Sequence, residues 1–240
     1  EPKLIFPLKL SAEQCSSSAT GRYKAAFAEK ICGKVKDWSI ADLTGGLGVD
    51  CWFFSQKASK VIYNEMQDKL CNAALHNFKT LGADNIEVNN LIVSAENIGR
   101  AVSNADIVYI DPARRDSEGK KVFLIEDCTP DVLTLKDEIF KYSRHILIKL
   151  SPMADISMAC DRLGCTCREV HVVATGGECK ELLIWMDREW KDEYTVPAVE
   201  LNAESEAIFS FNPQKERECR ISYEQSSIIG IEAGSSYLFE

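Results

Sequence analysis

The stretch Asp42-Leu-Thr-Gly-Gly-Leu-Gly-Val-Asp50 packs an acidic residue, a glycine-rich turn and the start of a helical pattern into one short segment. Ahead of it, Trp38-Ser-Ile-Ala41 has the apolar character of a buried parallel strand. Behind it, Val49 to Gln56 is apolar enough to pack a helix back on a sheet. Gly45, Gly46 and Gly48 therefore fall at a strand-to-helix crossover, where a tight turn needs positive φ and a missing Cβ lets backbone approach a ligand. The stretch reads as a cofactor cradle, with Asp42, Thr44, Gly45, Gly46, Gly48 and Asp50 as its candidate contacts. Its spacing is not Gly-x-Gly-x-x-Gly, which a dinucleotide fold prefers, and it lacks the Gly-Lys-Ser/Thr of a phosphate loop. An ordinary strand-helix turn is the plain alternative.

Two further strand ends carry acids. Lys60-Val-Ile-Tyr-Asn-Glu65 reads as a buried strand ending in a carboxylate about 20 residues beyond the first, the interval at which an open sheet sets an acid beside a bound ribose. Glu65 is accordingly the candidate acceptor for both ribose hydroxyls. A solvated glutamate at the start of the next helix, where the dipole favours negative charge, would look the same. Ala105-Asp-Ile-Val-Tyr-Ile-Asp-Pro-Ala-Arg-Arg115 is an apolar strand stopped by a proline. Pro112 cannot continue a central strand and holds Asp111 extended, so the chain leaves the sheet with the Asp111 side chain toward the crevice. Asp111 and Pro112 are candidate catalytic residues. Arg114 and Arg115 are candidate substrate contacts, although Asp116 and Glu118 are near enough in sequence to neutralise them locally. Lys149, closing the strand His145-Ile-Leu-Ile-Lys149, completes the catalytic set as a binder of phosphate or carbonyl oxygen, or else snorkels from a strand end.

Helix and strand signals alternate through the chain: a helix over 68–81, a strand over 86–88, a helix near 95–102 and the strand ending at Asp111. A helix around 130–142, a strand over 145–149 and a helix over 154–163 follow. Strand-like runs over 169–174 and 181–186 then flank Gly176-Gly177. This is a doubly wound α/β pattern. From Ser11 to Val35 a turn leads into an amphipathic helix, with Ser16, Ser17, Ser18 and Thr20 as candidate caps. The same segment, Gln14-Cys-Ser-Ser17, could instead close over the cofactor, which makes Ser17 a candidate cofactor contact. The organisation expected is a helical lead-in over 1–36, a cofactor-binding domain over 37–190 and a small β-rich appendage over 191–240.

With 240 residues, 45% of them hydrophobic, the chain can bury a substantial core. No basic and apolar leader and no apolar run of about 20 residues is present, so a soluble protein without membrane association is expected. The ten cysteines are dispersed without Cys-x-x-Cys pairs, as buried thiols in a reducing cytoplasm would be. Cys160, Cys165 and Cys167, with His171, fall short of zinc-ligand spacing, and no metal is expected. The formal net charge of −9 argues against non-specific nucleic-acid binding over the whole surface, while Arg114, Arg115, Lys120 and Lys121, and separately Lys215, Arg217 and Arg220, could focus positive potential locally.

The acidic residue followed by Gly46-Leu47-Gly48, the acid at Glu65 and Asp111-Pro112 together resemble the motifs of class I S-adenosylmethionine-dependent methyltransferases. The closing hairpin resembles the end of that family's seven-stranded, Rossmann-like sheet. The resemblance implies S-adenosylmethionine as cofactor, with the Asp42 carboxylate facing its ammonium group. Asp111-Pro112 resembles the fourth motif of nucleic-acid methyltransferases; in relatives that methylate exocyclic base nitrogens a second proline and a stacking aromatic follow, where Ala113 and Arg114 stand here. The acid that usually contacts adenine after the third strand is absent from Asn89-Asn-Leu-Ile-Val93, leaving Asn90 or Ser94 for that hydrogen bond. Ala73 and Asn77 resemble the corresponding helix of many RNA methyltransferases. Glu126-Asp-Cys-Thr-Pro130, Lys149-Leu-Ser-Pro-Met153 and Glu178-Cys-Lys-Glu181 resemble a bacterial methyltransferase family with a THUMP-like appended domain, over about residues 11 to 186.

RNA is thus the expected substrate, a tRNA or rRNA base. Protein or small-molecule methylation, and a non-catalytic RNA-binding module keeping the fold, are the alternatives. Both ends of the chain look like cuts through a longer protein. Attack on a base carbon by Cys128 or Cys179 is disfavoured, because neither stands in a Pro-Cys or Thr-Cys pattern. The modified atom and the oligomeric state are not written in the sequence.

Overall fold

The computed structural model describes residues 3–33, 37–114, 124–202 and 206–218. Helices α1 (Lys9–Gln14) and α2 (Ser18–Ile31) lead into a regular alternation: β1 (Ser39–Asp42), α3 (Val49–Ser55), β2 (Lys60–Asn64), α4 (Asp68–Leu81), β3 (Ile86–Asn89), α5 (Ile98–Val102) and β4 (Ile107–Ile110). Two short strands, β5 (Ala113–Arg114) and β6 (Cys128–Thr129), pair as a separate ribbon. Then come α6 (Val132–Ile139), β7 (His145–Leu150), α7 (Ile156–Leu163), β8 (Cys167–Thr175), β9 (Glu178–Asp187), β10 (Val196–Leu201), β11 (Glu206–Phe211) and α8 (Pro213–Glu218).

Local chemistry sets the boundaries. Helix α4 opens with Asp68 in its first turn and stops at Gly82, which takes the left-handed conformation at φ 68°. Ser17, Asp131 and Asp155 cap α2, α6 and α7, each side chain accepting a backbone N–H from three residues on. Helix α5 starts at Ile98 rather than near Ala95, because residues 94–97 form a turn in which the Asn97 side chain accepts from the Ser94 N–H and donates to the Ile92 carbonyl.

The main sheet runs β11-β10-β8-β9-β7-β4-β1-β2-β3. Strands β3, β2, β1, β4 and β7 are parallel, and β9 is antiparallel to both of its neighbours. The seven strands expected from the sequence are all here, in the order β3-β2-β1-β4-β7-β9-β8, but the count of seven is corrected to nine. Strand β10 adds in parallel to β8 and β11 antiparallel to β10, so these tail strands extend the same sheet. Without β10 the backbone edge of β8 would lack partners, and Val196 and Val199, three residues apart and so on opposite faces of β10, are both buried.

Alternate residues of each strand feed opposite cores. Ala41, Ile62, Val108, Ile146, Ile148 and Ile184 pack with α5, α6 and α7. Ile40, Val61, Tyr63, Ile107, Leu147 and Leu183 pack with α2, α3 and α4. Each such side chain contributes about 1.5–3 kcal/mol of burial. The strand order reverses at β1, between β2 and β4, and the carboxyl ends of these strands share one edge; a doubly wound sheet opens its ligand crevice there.

Candidate active site

The glycine turn is pinned from beneath by rings. The Tyr63 hydroxyl donates to the Gly46 carbonyl at 2.7 Å, and the Gly45 N–H donates to the Asn64 carbonyl at 2.8 Å. A Cβ at Gly45 would lie 2.2 Å from the Tyr63 ring, and one at Gly48, whose φ is 81°, would lie 2.4 Å from the Phe78 ring. Tyr63 and Phe78 meet edge to face at 5.4 Å, so neither has room to retreat.

The acids around this turn serve its backbone. Asp42 is buried, and its Oδ1 accepts from the Thr44 N–H at 2.9 Å and the Thr44 hydroxyl at 3.3 Å, while Oδ2 accepts from the Cys51 thiol at 3.2 Å. Burial pushes its carboxyl up to about 7; the bonds from Thr44 and Cys51 oppose the shift, and the nearby charges of Asp50 and Asp111 add to it. Glu65, at the tip of β2, accepts from the Gly46 N–H at 3.0 Å and from the Gln67 N–H at 2.8 Å. Asn90 donates to the Glu65 carbonyl at 2.7 Å, fixing the third strand end beside the second. Thr44 reaches across to the fourth: its hydroxyl accepts from the Asp111 N–H at 2.7 Å.

These strand ends border a crevice of about 510 Å³, lined among others by Thr44, Glu65, Met66, Leu91, Ser94 and Pro130. That volume falls in the range of small-molecule and cofactor sites. A larger groove of about 1010 Å³ lies between α2 and strands β8, β10 and β11, bordered by Tyr23, Phe27, His171 and Pro197. It is lined by none of Thr44, Glu65 and Ala113, the neighbours of the glycine turn and of the Asp-Pro corner that line the smaller crevice, so the smaller crevice is the candidate site.

On the acceptor side the acids meet ammonium groups. Lys149 Nζ lies 2.5 Å from Asp111 Oδ2. Burial alone would lower the Lys149 pKa, but Asp111, Asp50 and Glu181 overcome it and hold the ammonium above the usual lysine range. Behind it Lys24, fully buried on α2, places its Nζ 3.0 Å from both oxygens of Glu181 and 2.8 Å from the Ser16 hydroxyl. The same ammonium is 3.2 Å from Asp50 Oδ1, a charge contact without hydrogen-bond geometry. The other Asp50 oxygen accepts from the Ser16 and Tyr109 hydroxyls at 2.9 and 2.8 Å. Burial pushes the Glu181 carboxyl up, opposed by Lys24 and Lys149.

The sequence candidates therefore divide. Asp42, Thr44, Gly45, Gly46, Gly48, Glu65, Asn90, Asp111, Pro112 and Lys149 gather at one sheet edge. Asp50 turns instead into the buried charges under α2. The Ser17 side chain caps α2, its Oγ accepting from the Thr20 N–H at 3.2 Å, and its neighbour Ser16 makes the contact to Asp50. Arg114 has its backbone in β5, and Arg115, Lys120, Lys121 and Arg220 lie outside the described residues. Asn77 ties down the N-terminal segment, accepting from the Ile5 N–H and donating to the Ile5 carbonyl. His171 bonds Tyr23 and Glu169, while Cys160 and Cys167 are buried in the core on the other face of the sheet. Burial raises the Cys179 thiol pKa, the reverse of what a nucleophile needs. Lys24 went unread in the sequence, and Glu181 was read only as the end of a family-like phrase, without a role. The available signal for Lys24 was its place on the inward stripe of α2 with Gly21, Ala25 and Ala28, where a lone charge demands a partner.

Comparison with solved structures fits this geometry. A protein of Porphyromonas gingivalis W83, named as a methyltransferase, superposes with a TM-score of 0.79 at 34% identity over 93% of this chain, which spans 54% of that protein's length. The chain has the class I methyltransferase fold. A class I S-adenosylmethionine-dependent methyltransferase from Listeria monocytogenes matches the methyltransferase fold with a TM-score of 0.54 at 12% identity, over 81% of this chain and 67% of the other. A SAM-dependent methyltransferase from Aquifex aeolicus matches with a TM-score of 0.51 at 15% identity, over 76% of this chain and all of the other. No protein-family model and no curated protein matches the chain. Among the described residues no helix is long and apolar enough to cross a membrane.

Proposed function

We propose that this chain is an S-adenosylmethionine-dependent methyltransferase acting on a base of tRNA or rRNA in the cytoplasm, with residues 37–190 carrying the cofactor site. The observation that carries the reading is the Thr44 hydroxyl, which donates to Asp42 and accepts from the Asp111 N–H, joining the glycine turn to the Asp-Pro corner across one crevice lip. The residues present suit the cofactor: a nucleoside-sized crevice and a two-oxygen acceptor in Glu65. When bound, S-adenosylmethionine supplies an electrophilic methyl group whose transfer leaves a neutral thioether.

The protein's own part is largely placement, since charge disappears in the transfer and strong acid catalysis is not required. Glu65 accepts the ribose hydroxyls, exchanging its bond to Gly46 for them, and Asn90 keeps the neighbouring strand end in place. Asp42 holds the turn through Thr44. Asp111 orients the acceptor nitrogen and takes its proton as the new bond to carbon forms, and Lys149, ion-paired to Asp111, holds its side chain in place. Arg114 and Arg115 follow the corner in sequence and contact the RNA. A protein or small-molecule acceptor is the second reading, favoured by the formal net charge of −9 and by the commitment of Lys149 to Asp111.

The test incubates the protein with methyl-tritiated S-adenosylmethionine and RNA from cells lacking the gene, beside parallel protein and metabolite fractions. Label is expected in RNA and is expected to fall at least about 100-fold in Asp111→Asn, with cofactor affinity kept. Label confined to protein or metabolites would overturn the RNA assignment; no cofactor binding at all would overturn the enzyme.

A further inference from the structure

Five side chains of alternating charge line up beneath the crevice: Asp50, Lys24, Glu181, Lys149 and Asp111. Three of the four links are contacts of 2.5 to 3.2 Å: Asp50 to Lys24, Lys24 to Glu181, and Lys149 to Asp111. The fourth follows from the sheet register. Lys149 stands opposite Leu183, and Glu181 is two residues from Leu183 on antiparallel β9, so the two side chains share a face as diagonal neighbours within reach of long side chains. The series begins at Asp50, two residues past Gly48 of the glycine turn, and ends at the Asp-Pro corner. Lys24, Glu181, Asp50 and Lys149 are largely out of water while the Asp111 side chain is 38% exposed, and burying such charges is poorly repaid as stability alone, since apolar residues of equal volume do as well or better.

We propose that Lys24 and Glu181 are positioning residues that set the charge state of Asp111 through Lys149. They face the sheet from α2 and β9 and act on Asp111 only through the shared ammonium and through space. The charged and titratable groups that feel Asp111 are Lys149 from β7, Asp42 from β1 and Tyr109 from β4, while Glu181 from β9 and Asp50 from α3 act on the Lys149 ammonium and Lys24 from α2 pairs with both of those acids. Glu181 and Asp111 compete for one ammonium, and Lys24 moderates that competition by neutralising Glu181. With Glu181 neutral, Lys149 belongs wholly to Asp111, which then ionises at lower pH. With Lys24 neutral, an uncompensated Glu181 draws Lys149 toward itself and Asp111 ionises at higher pH. Each direct charge effect has the same sign as the effect through Lys149, so the two substitutions move Asp111 in opposite directions.

The inference relies on the preceding section only for the role it gives Asp111, and its test needs neither cofactor nor acceptor. The carboxyl carbon of Asp111 is titrated by carbon-13 NMR in protein labelled at aspartate, the resonance being assigned by its loss in Asp111→Asn. Glu181→Gln is expected to lower the Asp111 midpoint by about half a pH unit or more, and Lys24→Met to raise it by a similar amount. The double variant, which removes a neutral pair, is expected to return near the wild-type midpoint. Glu181→Gln keeps Lys24 paired with Asp50 and Ser16, so it retains the fold and decides the matter even where Lys24→Met does not fold. An Asp111 midpoint that stays put or rises in Glu181→Gln, or single variants that shift the same way, would overturn the coupling. Cofactor binding to the wild type, followed by calorimetry on the same samples, tests the methyltransferase reading separately, so the two ideas can fail independently.

Discussion

The two sides of the crevice treat their carboxylates differently. At the glycine turn Asp42 and Glu65 accept mainly from backbone N–H groups two residues away or across one strand, and the turn's shape is set by what its own backbone needs. On the acceptor side Asp111, Glu181 and Asp50 are held by two lysines that arrive from a helix and a strand far off in sequence. The first arrangement is built locally and needs little beyond its own segment. The second exists only once α2 has docked on the sheet, and its members are tuned by one another.

The comparison breaks most readily at Lys24. Replacing it with methionine leaves Asp50 and Glu181 buried without their shared cation, and a loss of about 4 kcal/mol is expected by urea denaturation. A loss below about 1 kcal/mol would mean that the buried charges are already solvated. Gly48→Ala attacks the other side through sterics: with φ at 81° and the Phe78 ring 2.4 Å from the new Cβ, the cost expected in the same experiment is about 3 kcal/mol. Cofactor affinity should fall with it, because the turn cannot keep its shape.

Asp42 sharpens the contrast through pH. Its carboxyl stands at about 7 in the folded protein against an ordinary 3.8, so the folded state holds the proton more tightly than the unfolded chain. Its contribution to stability is therefore full below about pH 4 and is lost as pH rises through about 7. Relative to Asp42→Asn, the wild type should lose up to about 1.4 kcal/mol for each pH unit across that window. Parallel stability curves for the two proteins would place Asp42 in contact with water. The smallest effect is expected at the exposed Lys60–Glu87 pair, a control for the buried charges: Lys60→Ala should change stability by less than about 0.5 kcal/mol, and less still in high salt.

Much of the fold was legible because its signals are local. The helix over 68–81 needed only an acid at its start, an apolar stripe and Gly82, and the structure places its ends there. The strand ends at Asp42, Glu65 and Asp111 were marked by a glycine turn, a strand-helix spacing and a proline, each of which acts within a few residues. Elsewhere a local signal was open to two uses. Val196 to Leu201 and Glu206 to Phe211 have the alternation of strands, but alternation does not say which sheet they join. Ser17 had the chemistry for a ligand or a cap and was taken by the cap.

The sequence by itself determined the alternating α/β order, the glycine turn and the acids that end three strands, because periodicity, backbone freedom and proline act over a handful of residues. Only the tertiary structure decided that β10 and β11 extend the main sheet, that Asp42 and Glu65 rest on backbone N–H groups, and that Lys24 reaches Asp50 and Glu181. Those outcomes depend on which distant surfaces are buried together, and a charge at an inward position states that it needs a partner without naming the residue that will supply it.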